Sequence, residues 1–443
     1  MSRKIFGTLV AVAAVVALGW AVQRFALGHE RQWTTSSGDA LAAFDAGIEA
    51  KMRLYASDAA TDFRNALAVD PDFVSAKVQL AEVTADGAER RRLREEIGAA
   101  NMSRLTDRER FLVEMTLAAG EPAKQKALVA RALEELPRDP WVLSVAAARS
   151  WDAEQWDVAG AYYRRLLEID PNWISAHNSL GYMAMWRERF AESEEHFRTY
   201  AYIAPDQANP HDSLGELLSL RGRYSEARTE LETALRVKPD FCASYVTLAG
   251  VAIFEGDPLL IPALAERASK NCPEKLVAGL ECEAKIFAAY RDGDADRPWR
   301  EGFIDCAGKP GDRGILAHRL ALLSGRDDEA RAEERSSEKP EMMGESMGGK
   351  ARRYERQANH MAGVRALLEG KNDEAVAHFR AADENAAYWG AAEGRFKLFN
   401  LMHLALALER TNDAAGAARA LEEVQKVNAP FAEHYAEIVG DLR

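Results

Sequence analysis

Five prolines, Pro137, Pro171, Pro205, Pro239 and Pro273, stand 34 residues apart in a chain of 443 residues that holds 15 prolines. Proline has no amide hydrogen to donate and disfavours helical geometry in the residue before it, so each one predicts a helix end at a fixed interval. Pro71 closes ALAVDP as Pro171 closes LLEIDP and Pro239 closes ALRVKP. Between Pro205 and Pro239 the pattern has two halves. Leu214, Leu217, Leu218 and Leu220 crowd one helical stretch, Gly222 interrupts it, and Tyr224, Ala227, Leu231, Ala234 and Leu235 recur at three-to-four spacing. Each unit is a helical hairpin. Such hairpins stack, because none can bury its own apolar face.

The positions Leu214, Gly215, Gly222, Tyr224, Ala227, Leu231, Ala234 and Pro239 resemble the tetratricopeptide repeat (TPR), and Leu180, Gly181 and Pro205 repeat that register 34 residues earlier. Weaker copies keep Gly47, Ala59, Phe63, Ala66 and Pro71; Trp156, Ala159, Tyr163, Leu166 and Pro171; and, toward the end, Gly370, Ala375, Phe379 and Ala382. The resemblance covers about nine tenths of the chain and implies an all-α, right-handed α-solenoid of TPR-like hairpins that binds protein or peptide partners. On this reading residues 40–330 form one TPR-like array, residues 331–355 a polar flexible linker and residues 356–443 C-terminal TPR-like hairpins. A continuous solenoid with a frayed helix across 331–355 is the alternative. LTDRERFLVEMTLAAGE, Leu105 to Glu121, also resembles a first repeat that follows a regulator or kinase domain in bacterial arrays; no such domain precedes it here.

Residues 5–22, IFGTLVAVAAVVALGWAV, carry no charge, and a helix of that length at about 1.5 Å per residue nearly crosses a hydrocarbon core of about 30 Å. With residues 1–4 as a short tail bearing Arg3 and Lys4, and Arg24 soon after, the segment reads as a transmembrane signal-anchor helix. Residues 23–39 then form a juxtamembrane linker in which Trp33, like Trp20 inside the apolar run, suits a membrane interface. A cleaved signal peptide ending near Ala26-Leu27-Gly28 is the alternative. The expected setting is the bacterial inner membrane, with the array on the periplasmic side.

Four cysteines, Cys242, Cys272, Cys282 and Cys306, fall in one part of the array. Cys242 and Cys272 are equidistant from the Gly256-Asp257 turn, and Cys282 and Cys306 from the Asp292-Gly293-Asp294 turn, so each pair faces across its hairpin. Two disulfides follow, Cys242 to Cys272 and Cys282 to Cys306, which require an oxidising compartment. Four buried thiols, or a Cys272 to Cys306 link, are the competing readings.

Net charge is -13, so no basic field attracts nucleic acid. There is no CxxC pair, no histidine cluster of metal-ligand spacing and no phosphate-binding glycine loop, so no metal, cofactor or small-molecule substrate is expected. Gly344-Glu345-Ser346-Met347-Gly348 fits GxSxG, but the polar SSEKPEMM before it cannot be the strand that motif needs, and an enzyme reading gains nothing from it. If Leu180, Gly181 and Ala184 pack inward, then Asn178, Tyr182, Met185 and Trp186 face the concave groove, joined by Trp151, Asp212, Glu216 and Ser219. Gap-filling between hairpins is the competing role for the aromatics. In TPR proteins that clamp a terminal carboxylate, lysines and asparagines occupy places held here by Ser144, Ala148, Asn178, Tyr182, Asp212 and Glu216. The acidic pair therefore predicts neutral or basic partner segments.

Overall fold

The computed structural model describes residues 33–53, 55–308, 313–337, 348–384, 386–388 and 390–442, and all regular structure among them is helical. The chain divides into two compact units that meet in sequence at Pro171 and Asn172. The first pairs α1 (Gly38–Met52) with α2 (Ala56–Val69), α3 (Val74–Val83) with α4 (Gly87–Gly98), α5 (Asp107–Leu117) with α6 (Pro122–Glu135), and α7 (Pro140–Asp152) with α8 (Trp156–Ile169). The second pairs α9 (Ile174–Trp186) with α10 (Phe190–Ile203), α11 (Ala208–Leu220) with α12 (Tyr224–Val237), and α13 (Ala243–Phe254) with α14 (Ile261–Ala268). It continues through α15 (Glu274–Arg291), α16 (Gly314–Leu323), α17 (Asp327–Ser337), α18 (Gly348–Leu368), α19 (Asn372–Glu384), α20 (Ala391–Arg410) and α21 (Ala414–Val427).

The expected period is present in atomic detail. First helices start at 140, 174 and 208 and second helices at 156, 190 and 224, each 34 residues on. In four hairpins a glycine lies against the residue sixteen positions later. A Cβ added at Gly47, Gly181, Gly215 or Gly363 would lie 2.6, 2.5, 2.6 or 2.7 Å from Phe63, Phe197, Leu231 or Phe379. Only a bare backbone lets the large side chain seat there. The turn residue after the first helix is left-handed at Glu154, Glu188, Gly222 and Gly256, with φ of 57°, 59°, 71° and 70°. The 34-residue interval holds even where glycine is absent and the conformation is unfavourable.

In the first unit the segment expected to be juxtamembrane is built into the fold from residue 33 onward. Trp33 is buried, edge-on to Phe44 at 4.9 Å and Trp141 at 5.3 Å, with the Arg108 guanidinium 5.4 Å above its ring. Its interfacial reading is therefore corrected: an indole enclosed by two rings and a cation has no face left for lipid headgroups. Glu109 explains the LTDRERF stretch. It completes a capping box with Thr106 at the start of α5 and also accepts from the Thr34 amide (2.9 Å), Thr34 Oγ1 (3.0 Å) and Ser75 Oγ (3.0 Å). One buried carboxylate thus joins the N-terminal segment, the second hairpin and the third.

In the second unit helix occupies both ends of the stretch expected to be a flexible linker, since α17 runs to 337 and α18 starts at 348. Glu334, within that stretch, finds an ionic partner on α18: Arg365 reaches it at 2.7 Å. Residues 338–347, with Ser346, lie outside the described residues, as does the proposed anchor at 5–22. No described helix is long and apolar enough to cross a membrane.

Candidate functional site

The groove residues expected from the 34-residue register do converge within the second unit, but largely as an interior. Tyr182 Oη donates to Glu216 (2.6 Å), Ser213 Oγ donates to Asn178 Oδ1 (3.1 Å), and Ser244 Oγ donates to Asp212 (2.7 Å). Met185 and Ser219 are fully buried, Asp212 nearly so, and Trp186 remains half-buried beneath Arg187. Met185 and Ser219 thus have no surface to offer a partner. Trp151 belongs to the first unit, where it packs edge-on against Trp156 at 5.3 Å.

The physical reason is that the chain's own C-terminal third covers this wall. Phe190 meets Tyr388 at 5.6 Å, and Leu220 presses against the bare backbone of Gly394 in α20. Asn428 accepts from Tyr224 Oη at 2.9 Å and donates to the Ser219 carbonyl at 3.3 Å. Glu216 accepts the amide of Ala391, the first residue of α20, where a carboxylate complements the helix N-terminus. The acidic groups that argued for a basic partner are therefore used inside the fold. Burial and the neighbouring Glu216 push Asp212 up to about 7, and burial raises Glu216 as well.

The C-terminal residues are held by a second buried network. Arg319 Nη2 donates to the Ile438 carbonyl (2.7 Å), Nη1 to His403 Nε2 (2.8 Å), and the guanidinium pairs with Asp441 and stacks over Tyr290 at 4.8 Å. Tyr290 Oη donates to the same Ile438 carbonyl at 2.7 Å. Burial lowers Arg319 to about 10. His403 donates from Nδ1 to the Phe399 carbonyl at 2.8 Å, so its Nε2 accepts, and burial beside the Arg319 cation holds it neutral.

Both expected cysteine pairings are found. Cys242 and Cys272 bracket the α13–α14 hairpin with Cα atoms 5.8 Å apart, and Cys282 in α15 bonds Cys306 with Cα atoms 5.6 Å apart. The second disulfide forms part of the wall of an open cleft of about 600 Å³. Helices α13, α15, α18 and α20 and the segment 431–441 contribute its sides. The floor is apolar and aromatic: Ile286, Phe287 and Tyr290 come from α15, Phe396 and Phe399 from α20 and Phe431 from the C-terminal segment. Gly250 leaves the space through which the Arg395 guanidinium reaches from α20 toward Glu283 at 3.4 Å. The 34-residue register did not point to this cleft. The available signal was the pairing of rings three residues apart, Phe287 with Tyr290 and Phe396 with Phe399, on helices whose other faces are already apolar.

No family model matches the chain, and no curated protein matches it. Solved structures of helical-repeat proteins do. A tetratricopeptide repeat protein from Parabacteroides merdae is 12% identical over 67% of this chain and 99% of its own, with a TM-score of 0.36. PilF of Pseudomonas aeruginosa is 16% identical over 52% of this chain and 91% of its own, at 0.31. Cut9 with Hcn1, an APC/C hetero-tetramer, is 12% identical over 89% of this chain and 75% of its own, at 0.45. Likeness of this degree says nothing of activity, and the TPR-like assignment rests on the 34-residue hairpins, buried glycines and left-handed turns of the chain itself.

Proposed function

We propose that the protein is a binding scaffold that captures segments of protein partners, using the cleft between α15, α20 and the C-terminal segment as the pocket for an apolar anchor. The observation that carries this is the cleft itself. Its volume falls in the range of about 300–1,000 Å³ typical of ligand pockets, and partly exposed aromatic rings face it from rigid, mutually packed helices. Rings in a concave pocket are what partner side chains bury against. The test is selection of peptides from a displayed library by the full chain, compared with Phe287→Ser and Phe399→Ser variants that keep the helical circular dichroism. Peptides should be enriched by the parent and lost from both variants. Equal enrichment by all three would move the binding surface elsewhere.

We further read residues 5–22 as a single-pass anchor that tethers the scaffold to a bacterial inner membrane with the array on the periplasmic side. The uncharged run and two cysteine pairs at bonding distance support this reading. Four alkylatable thiols in protein taken from its native compartment would end it.

A further inference from the structure

We infer that the partner segment captured by the cleft joins an apolar anchor to a carboxylate, and that Arg353 is the residue that reads the acid; this rests on the binding reading above. The inference comes from which charges around the cleft are already committed. Of the three acids in its lining, Asp441 pairs with the buried Arg319, Glu437 lies 3.2 Å from His434, and Glu283 lies 3.4 Å from Arg395. Two of the lining arginines are committed as well: Arg291 pairs with Asp292 at 3.0 Å, and Arg313 with Asp305 at 2.7 Å and Glu329 at 2.8 Å.

Arg353 differs from all of these. It lines the cleft from α18, is exposed, and forms no hydrogen bond or ion pair among the described residues. Arg395 sits on the opposite helix α20, with its side chain about a fifth exposed, its guanidinium 5.9 Å above the Phe254 ring, and an ion pair to Glu283 that is long for an arginine–carboxylate bond. Among the described residues, the charged group on the cleft wall that has no hydrogen-bond or ionic partner is therefore a cation, although the chain as a whole is at -13. Guanidinium groups offer planar paired donors that match a carboxylate. Beside rings that exclude water, such a pair is screened less than one on an open surface. A segment with a leucine or phenylalanine in the cleft and a glutamate or aspartate next to it satisfies both parts at once. This reverses the preference expected while Asp212 and Glu216 were placed on the binding wall.

The test uses three fluorescent tetrapeptides with the same leucine–phenylalanine body, ending in glutamate, glutamine or lysine with amidated termini, measured by anisotropy against the full chain. The glutamate peptide should bind about fivefold more tightly than the glutamine peptide, and the margin should shrink in 0.5 M salt. Arg353→Gln should remove the margin. Arg353→Glu, at an exposed position that folding does not depend on, should make the lysine peptide the tightest of the three. Equal binding of all three peptides by the parent overturns the acid preference and leaves the apolar pocket standing. Binding of none of them overturns the pocket reading as well. A glutamate preference that survives Arg353→Glu removes Arg353 from the role.

Discussion

The two units hold their hairpins together in different ways, and two buried glutamates show the difference. In the first unit Glu109 accepts from the Thr106 amide and hydroxyl, the Thr34 amide and hydroxyl, and Ser75, and its longest reach is 75 residues. In the second unit Glu216 lies close to the raised carboxyl of Asp212, and its tenant is a helix that begins at Ala391. The bonds that close the second unit span far more chain, as from Tyr224 to Asn428 (204 residues) and from Arg221 to the Lys426 carbonyl (205 residues). The first unit adds to its hairpin contacts an N-terminal segment that reaches Glu109 and Trp141. The second is closed by contacts between its early hairpins and its last residues, which share one apolar core.

Removing the buried cation should give the largest effect. Arg319→Leu leaves Asp441 without its cation and His403 Nε2 without its donor, while the Ile438 carbonyl keeps only Tyr290, and it should cost about 3–5 kcal/mol, the usual penalty for breaking a buried pair. Hydrogen exchange read peptide by peptide should show the loss confined to residues 172–443. An equal loss of protection in residues 33–171 would break the comparison.

A smaller effect should appear in the pH profile of the second unit. Asp212 has a folded pKa near 7, above the ordinary value of 3.8, so between about 4 and 7 the folded state holds a proton the unfolded chain has released. Stability then falls as pH rises through that window, by something on the order of 2 kcal/mol. His360 acts in the other direction. Burial depresses it from 6.5 to about 3, so its contribution is present above 6.5 and is lost as pH falls toward 3. Asp212→Asn should flatten the loss on the alkaline side and leave the acid side unchanged. Urea melts of parent and variant at pH 5 and pH 8 check this: His360 adds stability over the same interval, so the reading is the difference between the two proteins, and a midpoint change with pH that is equal in both would contradict it.

The smallest effect concerns the turns. Glu154→Gly relieves a left-handed non-glycine residue and should stabilise the first unit by up to about 1 kcal/mol. Glu188→Gly relieves the same strain in the second unit but removes an ion pair with Lys397 at 3.8 Å, so its gain should fall short of the strain relief alone. A gain of the full ~1 kcal/mol at 188 would show that this contact contributes nothing.

What could be read from the residues beforehand follows the same division. The prolines, the Gly-to-aromatic register and the cysteine pairings all depend on partners within one hairpin, so spacing alone exposes them. The left-handed turns at Glu154 and Glu188 were hidden by the missing glycine, although the interval to Gly222 marks them. The covering of Ser219 was not readable, because nothing in α11 records that Asn428 will lie against it some two hundred residues later. The cleft was missed for the same reason: its walls are assembled from segments that share no local pattern. Trp33 misled because an amphipathic ring near an apolar run suits a membrane surface and a protein core equally well.

The two disulfides also set an order of events. Their loops, spanning 30 and 24 residues, neither overlap nor nest, and Cys272 precedes Cys282. In a chain that emerges N-terminus first, Cys242 is the sole earlier cysteine that Cys272 can meet, so order of emergence favours the observed partners. The cleft wall carries the second link, and both precede in sequence the C-terminal helices that form the opposite side.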